Sequence, residues 1–310
     1  MDNKIPISRD TINQSESLFN HSVRANINSN SNSNSTDSSL DNPTENIQTA
    51  DQSNAKSHDS PDTSTNTDTD TDTDTDTDTD TDRANVILGT KCYIDGSARD
   101  RALDSMESLI ENDIGELTVS WGIDIRDDAF IHVTLTGADA TAASNLLAET
   151  WGEIHASTER TDGEIYIGTL DSWDESGWTL DVGGEYVMIP ASELGLGQGS
   201  PTQVRDRFGI VQHTPLRFIA GETPRLADST RDQLYEWTRE TGAGRVNVNS
   251  ATRGEVRATI NRAGHADDIV TVDRLGLLEQ SVICTEDTDP PGLIASIGSY
   301  IRAELKCVLT

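Results

Sequence analysis

Lysine is almost absent from this chain. Lys4, Lys56, Lys91 and Lys306 are the only four in 310 residues; arginine supplies the rest of 23 basic side chains, against 54 acidic ones. The net charge of -31 reads as the signature of a cytoplasm kept at molar salt. At about 1 M salt the Debye length falls to roughly 3 Å, so long-range steering is weak. The acidity is then a solvation device. It does not exclude nucleic acid, and a basic patch does not establish it. Cysteine is scarce too: Cys92, Cys284 and Cys307 have neither CxxC nor Cys/His spacing, which excludes a zinc site and a disulfide framework. No apolar run approaches the roughly 20 residues that cross a bilayer. The N-terminus has no charged-then-apolar pattern, so no secretory signal is visible. A soluble, cytoplasmic protein is expected, with no membrane partner.

Catalytic signatures are missing as well. There is no Ser-His-Asp elbow, no HExxH, no GxxxxGK[ST] loop and no cysteine close to a histidine. His213 beside Arg217 and His265 beside Asp267 are the best histidine candidates. Glu286, Asp287 and Asp289 crowd one loop, but acids before a helix complement its dipole without any metal. Neither a catalytic residue, a metal nor a cofactor is expected.

What is present divides into four parts. Residues 1–84 are rich in Ser, Asn, Thr and Asp and end in Thr-Asp dipeptides from Thr67 to Asp82. Such a segment cannot bury enough apolar surface to offset chain entropy, so a disordered acidic tail is expected. In 85–160, Val86, Leu88, Cys92 and Ile94 alternate. Ala102, Leu103, Met106, Leu109 and Ile110 recur at helical spacing. Leu117 to Ile125 and Ile131 to Leu135 alternate, and Ala143, Leu146, Leu147 and Trp151 are helical again. That order is a ferredoxin-like βαββα unit, with Glu153–Ala156 as the candidate last strand. Residues 163–244 contain short glycine-punctuated strands, then a helix that buries Leu234 and Trp237 with Asp228 as its cap. Residues 245–310 read βαββαβ, a second ferredoxin-like unit. Its first helix is capped by Ser250 and ended by Gly264, and its second is opened by Pro290 and Pro291. The fold class is α+β.

Residues 163–194 resemble the first three strands of an S1-type OB-fold. The resemblance rests on Gly163, Ile165, Gly168 and Leu170, then Gly177 to Gly183, then Ile189-Pro190-Ala191-Ser192-Glu193-Leu194. Leu180 and Val182 are expected inside the barrel, and Ser192 to Leu194 form its plug. Such barrels bind single strands by stacking bases on aromatics in a cationic groove. The positions that carry those aromatics and a histidine in S1 domains hold Ser176, Thr179 and Pro190 here. Trp178 and Tyr186 are the aromatics that remain.

The chain from about residue 85 onward also resembles an uncharacterised archaeal family, the domain-of-unknown-function 2110 proteins of haloarchaea and relatives. The residues that carry this are Gly89 to Tyr93, Phe208 to His213, Asn247 to Arg253, Leu275 to Gln280 and Cys284 to Gly292. The resemblance implies an archaeal cytoplasmic protein and supplies no activity.

The first functional expectation is a non-enzymatic protein that binds RNA or a ribonucleoprotein. Its candidate residues are Arg205, Arg207, Arg217, Phe218, Trp178, Arg253 and Arg257, because Arg-aromatic clusters hold bases and phosphates. The alternatives are a protein-protein adaptor for a transcription or translation assembly, docking through the barrel, and an enzyme acting on an anionic small molecule between the barrel and the third block.

Overall fold

A computed structural model describes residues 83–239 and 244–309. The expected tail lies outside these residues except at its end, where the boundary is corrected. Arg83 and Ala84 already belong to strand β1 (Arg83–Lys91), where they sit opposite Thr136 and Leu135. Backbone pairing, which does not depend on side-chain polarity, carries the strand past the apolar pattern that begins at Val86.

The N-terminal domain continues with helix α1 (Ser97–Ile114), strands β2 (Ser120–Ile125) and β3 (Phe130–Thr136), and helix α2 (Ala140–Trp151). The sheet order is β1-β3-β2, antiparallel throughout. Ala102, Met106, Ile110 and Ile114 recur every four residues along α1 and pack with Ala143, Leu147 and Trp151 of α2 on Leu88, Val133 and Leu135. The anticipated last strand shrinks to one bridge. Glu153 faces Leu88, held by Gly89 N–H to the Gly152 carbonyl (3.0 Å) and Ile154 N–H to the Ile87 carbonyl (2.8 Å).

The central domain contains β4 (Ile165–Trp173), β5 (Gly177–Asp181), β6 (Tyr186–Pro190), α3 (Pro201–Arg207), β7 (Pro215–Ile219), β8 (Arg225–Leu226) and α4 (Asp228–Trp237). The sheet runs β6-β5-β4-β7-β8, and β8 curls back toward β6 to make a half-barrel. A side chain at Gly177 would strike the Ile189 carbonyl, so glycine is what lets β5 and β6 close up there. Asp228 is not the cap of α4. Ala227 holds that position, and Asp228 is the first helical residue, ion-paired one turn on with Arg231.

The C-terminal domain contains β9 (Arg245–Val248), α5 (Arg253–Ala263), β10 (Ile269–Arg274), β11 (Gln280–Cys284), α6 (Pro290–Ile297) and β12 (Leu305–Val308). Its antiparallel sheet has the order β10-β11-β9-β12. The cap of α5 is Thr252, not Ser250. Thr252 Oγ1 accepts the Glu255 N–H (3.4 Å), and Glu255 Oε2 accepts the Thr252 N–H (3.0 Å), a reciprocal pair that Ser250 is too far upstream to make. Gly264 ends α5 in the left-handed region (φ 82°). Asp289 caps α6 by accepting the Gly292 N–H (3.1 Å), which commits one of the three crowded loop acids.

The domains share cores. Leu277 and Leu278, from the turn between β10 and β11, are buried in the N-terminal domain. Phe130, Ile154 and Val308 are buried in the barrel's core. Cys92 and Cys284 are buried free thiols and Cys307 is half-buried.

Candidate functional site

The three domains meet around the end of β1. Lys91 Nζ reaches Asp181 Oδ2, at the end of β5, at 2.5 Å; both side chains are 6% exposed. The ammonium also lies 4.6 Å from the centre of the Phe130 ring, and the other Asp181 oxygen accepts the Gly184 N–H at 2.8 Å. Two ions taken out of water hold together only with such satisfied geometry, and removal of either strands the other.

Tyr93 stands two residues on. Its hydroxyl donates to Glu279 Oε1 (2.7 Å) and accepts the Ser250 N–H (3.0 Å), and its ring lies 4.1 Å from the His213 ring. Both His213 (φ 66°) and Ser250 (φ 57°) are in the left-handed region. Side chains adopt that conformation at a cost of about 1–3 kcal/mol each, and such costs concentrate where a structure holds something in place. Glu279 is fully buried. Burial pushes its carboxyl up from 4.5 to about 8, against the Tyr93 hydroxyl, the Leu278 and Glu279 N–H groups and the Lys91 charge, which favour ionisation. Its Oε2 has no hydrogen-bond partner. Burial, then the Lys91 charge, pushes His213 down from 6.5 to about 4, and its Nδ1 is also unpartnered. At neutral pH this corner holds a protonated Glu279 and a neutral His213.

A second layer ties the barrel to the C-terminal domain. Arg205 lies over Trp173, 3.5 Å from the ring centre, and pairs with Glu304. Glu304 Oε2 accepts the Gln212 N–H (2.8 Å), Gln212 Nε2 donates to the Asp171 carbonyl (2.8 Å), and Asn249 Oδ1 accepts the Glu304 N–H (2.8 Å). Asn247 Nδ2 donates to the Gly209 carbonyl (2.8 Å) and its Oδ1 accepts Ser281 Oγ–H (2.6 Å). Segments 89–93, 208–213, 247–253 and 275–280, which read as scattered motifs in the sequence, are one contiguous junction.

The residues expected to bind nucleic acid do not converge. Trp178 is 0% exposed and donates its indole N–H to the Pro201 carbonyl (3.1 Å). Phe218 is 1% exposed and packs on Tyr166. Neither ring offers a face to a stacked base. Strand parity explains both: Trp178 shares a side of β5 with Leu180, and Phe218 shares a side of β7 with Leu216. Arg205 is buried in its ion pair. Arg207 donates to the carbonyls of Leu196 (3.2 Å) and Gln198. Arg217 is exposed on β7, Arg253 is half-buried at the start of α5, and Arg257 is exposed one turn later. His213 turns into the junction, whereas Arg217 lies on the outer face of β7. The partner of His265 is Asp268 (2.6 Å), with Ser296 on the other nitrogen (2.8 Å), rather than Asp267.

The other candidate surface is the face of β5 and β6. Tyr186 and Met188 alternate outward on β6, at 63% and 46% exposure, opposite Asp181 and Thr179. Asp181 and Asp171 lie close enough to raise the Tyr186 phenol. The nearest cations at the β5–β6 turn are already held, Arg126 by Asp128 (2.9 Å) and Arg160 by Glu185 (2.5 Å). This face is apolar, with half-buried Asp171 at its edge and Asp181 beneath it already neutralised by Lys91. Sequence reasoning singled out none of Lys91, Tyr93, Trp173, Glu279 and Met188 as a site residue; only the alternation of Tyr186 and Met188 with buried Ile189 signalled an outward side.

Among the described residues no helix is long and apolar enough to cross a membrane. The chain matches the DUF2110 N-terminal domain over residues 85–157, the DUF2110 central domain over 160–238 and the DUF2110 C-terminal domain over 243–309. No curated protein matches it.

Proposed function

The chain belongs to the DUF2110 family through all three of these domains, and from that premise we propose that it is a non-enzymatic binding protein that docks on a protein partner through the β5–β6 face of its barrel. One observation carries the reading. The exposed apolar pair Tyr186 and Met188 lies beside the Asp171 carboxylate, while the rings of Trp178 and Phe218 and the Arg205 guanidinium are spent inside the fold. A partner with a basic surface and an apolar centre complements that face; a polyanion does not. The strand orders support reading the outer domains as ferredoxin-like units and the central one as an S1-like OB barrel, and the lysine-poor acidity supports a salt-adapted archaeal cytoplasm. Fold likeness alone names no partner.

The enzyme reading loses its support on charge. Around His213, Lys91 and Arg205 are both paired, and Asp171, Asp181 and Glu304 carry the charges that act on the ring. An anionic substrate placed against His213 meets those three carboxylates and two cations that are already neutralised.

The test is purification of the tagged full-length chain from its own cells after nuclease treatment, beside a Tyr186→Ser/Met188→Ser variant. Both changes are on the surface and should leave stability within about 0.5 kcal/mol. A nuclease-resistant partner that is lost from the variant and rebinds the purified wild-type chain supports the reading. A partner retained by the variant, or RNA as the sole ultraviolet-crosslinked species, overturns it.

A further inference from the structure

Among the described residues, buried or half-buried basic side chains are nearly all paired. Lys91, Arg126, Arg160, Arg205, Arg231 and Lys306 each hold a carboxylate, and Arg245 bonds Ser281 and covers Trp237. Two half-buried arginines differ. Arg253, the first residue of α5, and Arg274, the last of β10, make no ion pair or hydrogen bond, and Arg253 Nε is buried without a partner. In a chain with 54 acids that is not a shortage of carboxylates.

The two arginines come together across the sheet end: Arg274 of β10 pairs with Gln280 of β11, and Gln280 Nε2 donates to the Ala251 carbonyl (3.3 Å), two residues before Arg253; burial first, then the Arg253 charge, holds Arg274 below the usual arginine value. Arg274 lies 5.7 Å from the centre of the Trp151 ring. The one acid that acts on Arg274 is Asp113, whose Oδ2 already accepts the Trp151 indole N–H (3.1 Å). Two guanidiniums against one occupied carboxylate leave a local excess of positive charge, partly out of water, between the ends of α1 and α2 and the starts and ends of α5 and β10. Like charges brought together in that way are stabilised by an anion between them.

We propose that Arg253 and Arg274 form a binding site for a phosphoryl dianion, with their planar forks on its oxygens and Trp151 as one wall. Two forks suit a tetrahedral dianion with several acceptor oxygens better than a single carboxylate. The shared chemistry is a terminal phosphate, whether free or at the end of a nucleotide. This site is separate from the β5–β6 face and does not depend on the adaptor reading.

The experiment is a titration of the nitrogen-labelled full-length chain at constant ionic strength, first with inorganic phosphate and then with a nucleoside monophosphate. The Trp151 indole N–H signal is identified by its loss in Trp151→Phe. It should move with phosphate, and Arg253→Gln and Arg274→Gln should each weaken the affinity by about tenfold or more, the loss of one charge-assisted contact. Arg257→Gln, exposed on the same helix, should bind as wild type. Movement with the monophosphate alone assigns the site to a nucleotide; movement with both assigns it to free phosphate. No movement with either probe overturns the proposal, as does an Arg257→Gln loss equal to that of Arg253→Gln. If an arginine variant fails to fold, the wild-type Trp151 signal still decides.

Discussion

Replacement of Glu279 by glutamine tests the junction through its proton. The carboxyl titrates near 4.5 when the chain is unfolded and near 8 when folded, so between those values the native state holds a proton that the unfolded state has released. Stability from this group is complete below 4.5 and drains away up to 8, at about 1.4 kcal/mol per pH unit. His213 acts in the opposite sense. Its ring is neutral when folded down to about 4 but protonated when unfolded below 6.5, so it makes stability rise with pH between those values. From 4.5 to 6.5 the two slopes offset each other. From 6.5 to 8 Glu279 acts without that offset, and the fold should lose about 2 kcal/mol. Glutamine keeps an acceptor for the Tyr93 hydroxyl and cannot ionise. Urea unfolding at constant salt, repeated from pH 6.5 to 8, should therefore give a falling midpoint for the wild type and a much flatter one for Glu279→Gln. Equal slopes in the two proteins would refute the assignment of a buried, protonated Glu279.

Lys91→Met removes one ion of the buried pair and strands Asp181; a loss of about 3–5 kcal/mol is expected in denaturant unfolding, much of it recovered when Asp181→Leu is added. Thr252→Ala should cost about 1 kcal/mol through loss of the α5 cap, whereas Ser250→Gly, at a left-handed φ, should be neutral or stabilising; equal losses would return the cap to Ser250. Phe218→Ala should cost about 3–5 kcal/mol while Arg217→Ala, its exposed neighbour, stays within about 0.5 kcal/mol, and the reverse order would contradict the orientation of β7.

Much of the architecture was legible because periodicity is a local property. The alternation from Trp121 to Ile125, the four-residue recurrence of Met106, Ile110 and Ile114, and the stop at Gly264 each follow from neighbours in the chain. Parity was enough to bury Trp178 as well, since it alternates with Leu180 and Val182. The site was hidden because it is built from what lies between elements. Glu279 is one acid among 54, and only the fold shows that it is dry. Arg205 looked like a surface cation because an acidic chain gives no hint of which arginines neutralise acids across domain boundaries. The choice between Ser250 and Thr252 was decidable from Thr252-x-x-Glu255, a reciprocal cap whose carboxylate partner sits three residues on.

The shared cores constrain the order in which this chain can mature on the ribosome. The N-terminal domain emerges before the other two, yet its interior includes Leu277 and Leu278, which are made more than 190 residues after β1 begins at Arg83. Until those leucines leave the exit tunnel, the first domain presents an open apolar socket to solvent. The barrel waits still longer, for Val308. A chain released before its last domain would leave both earlier interiors unsealed.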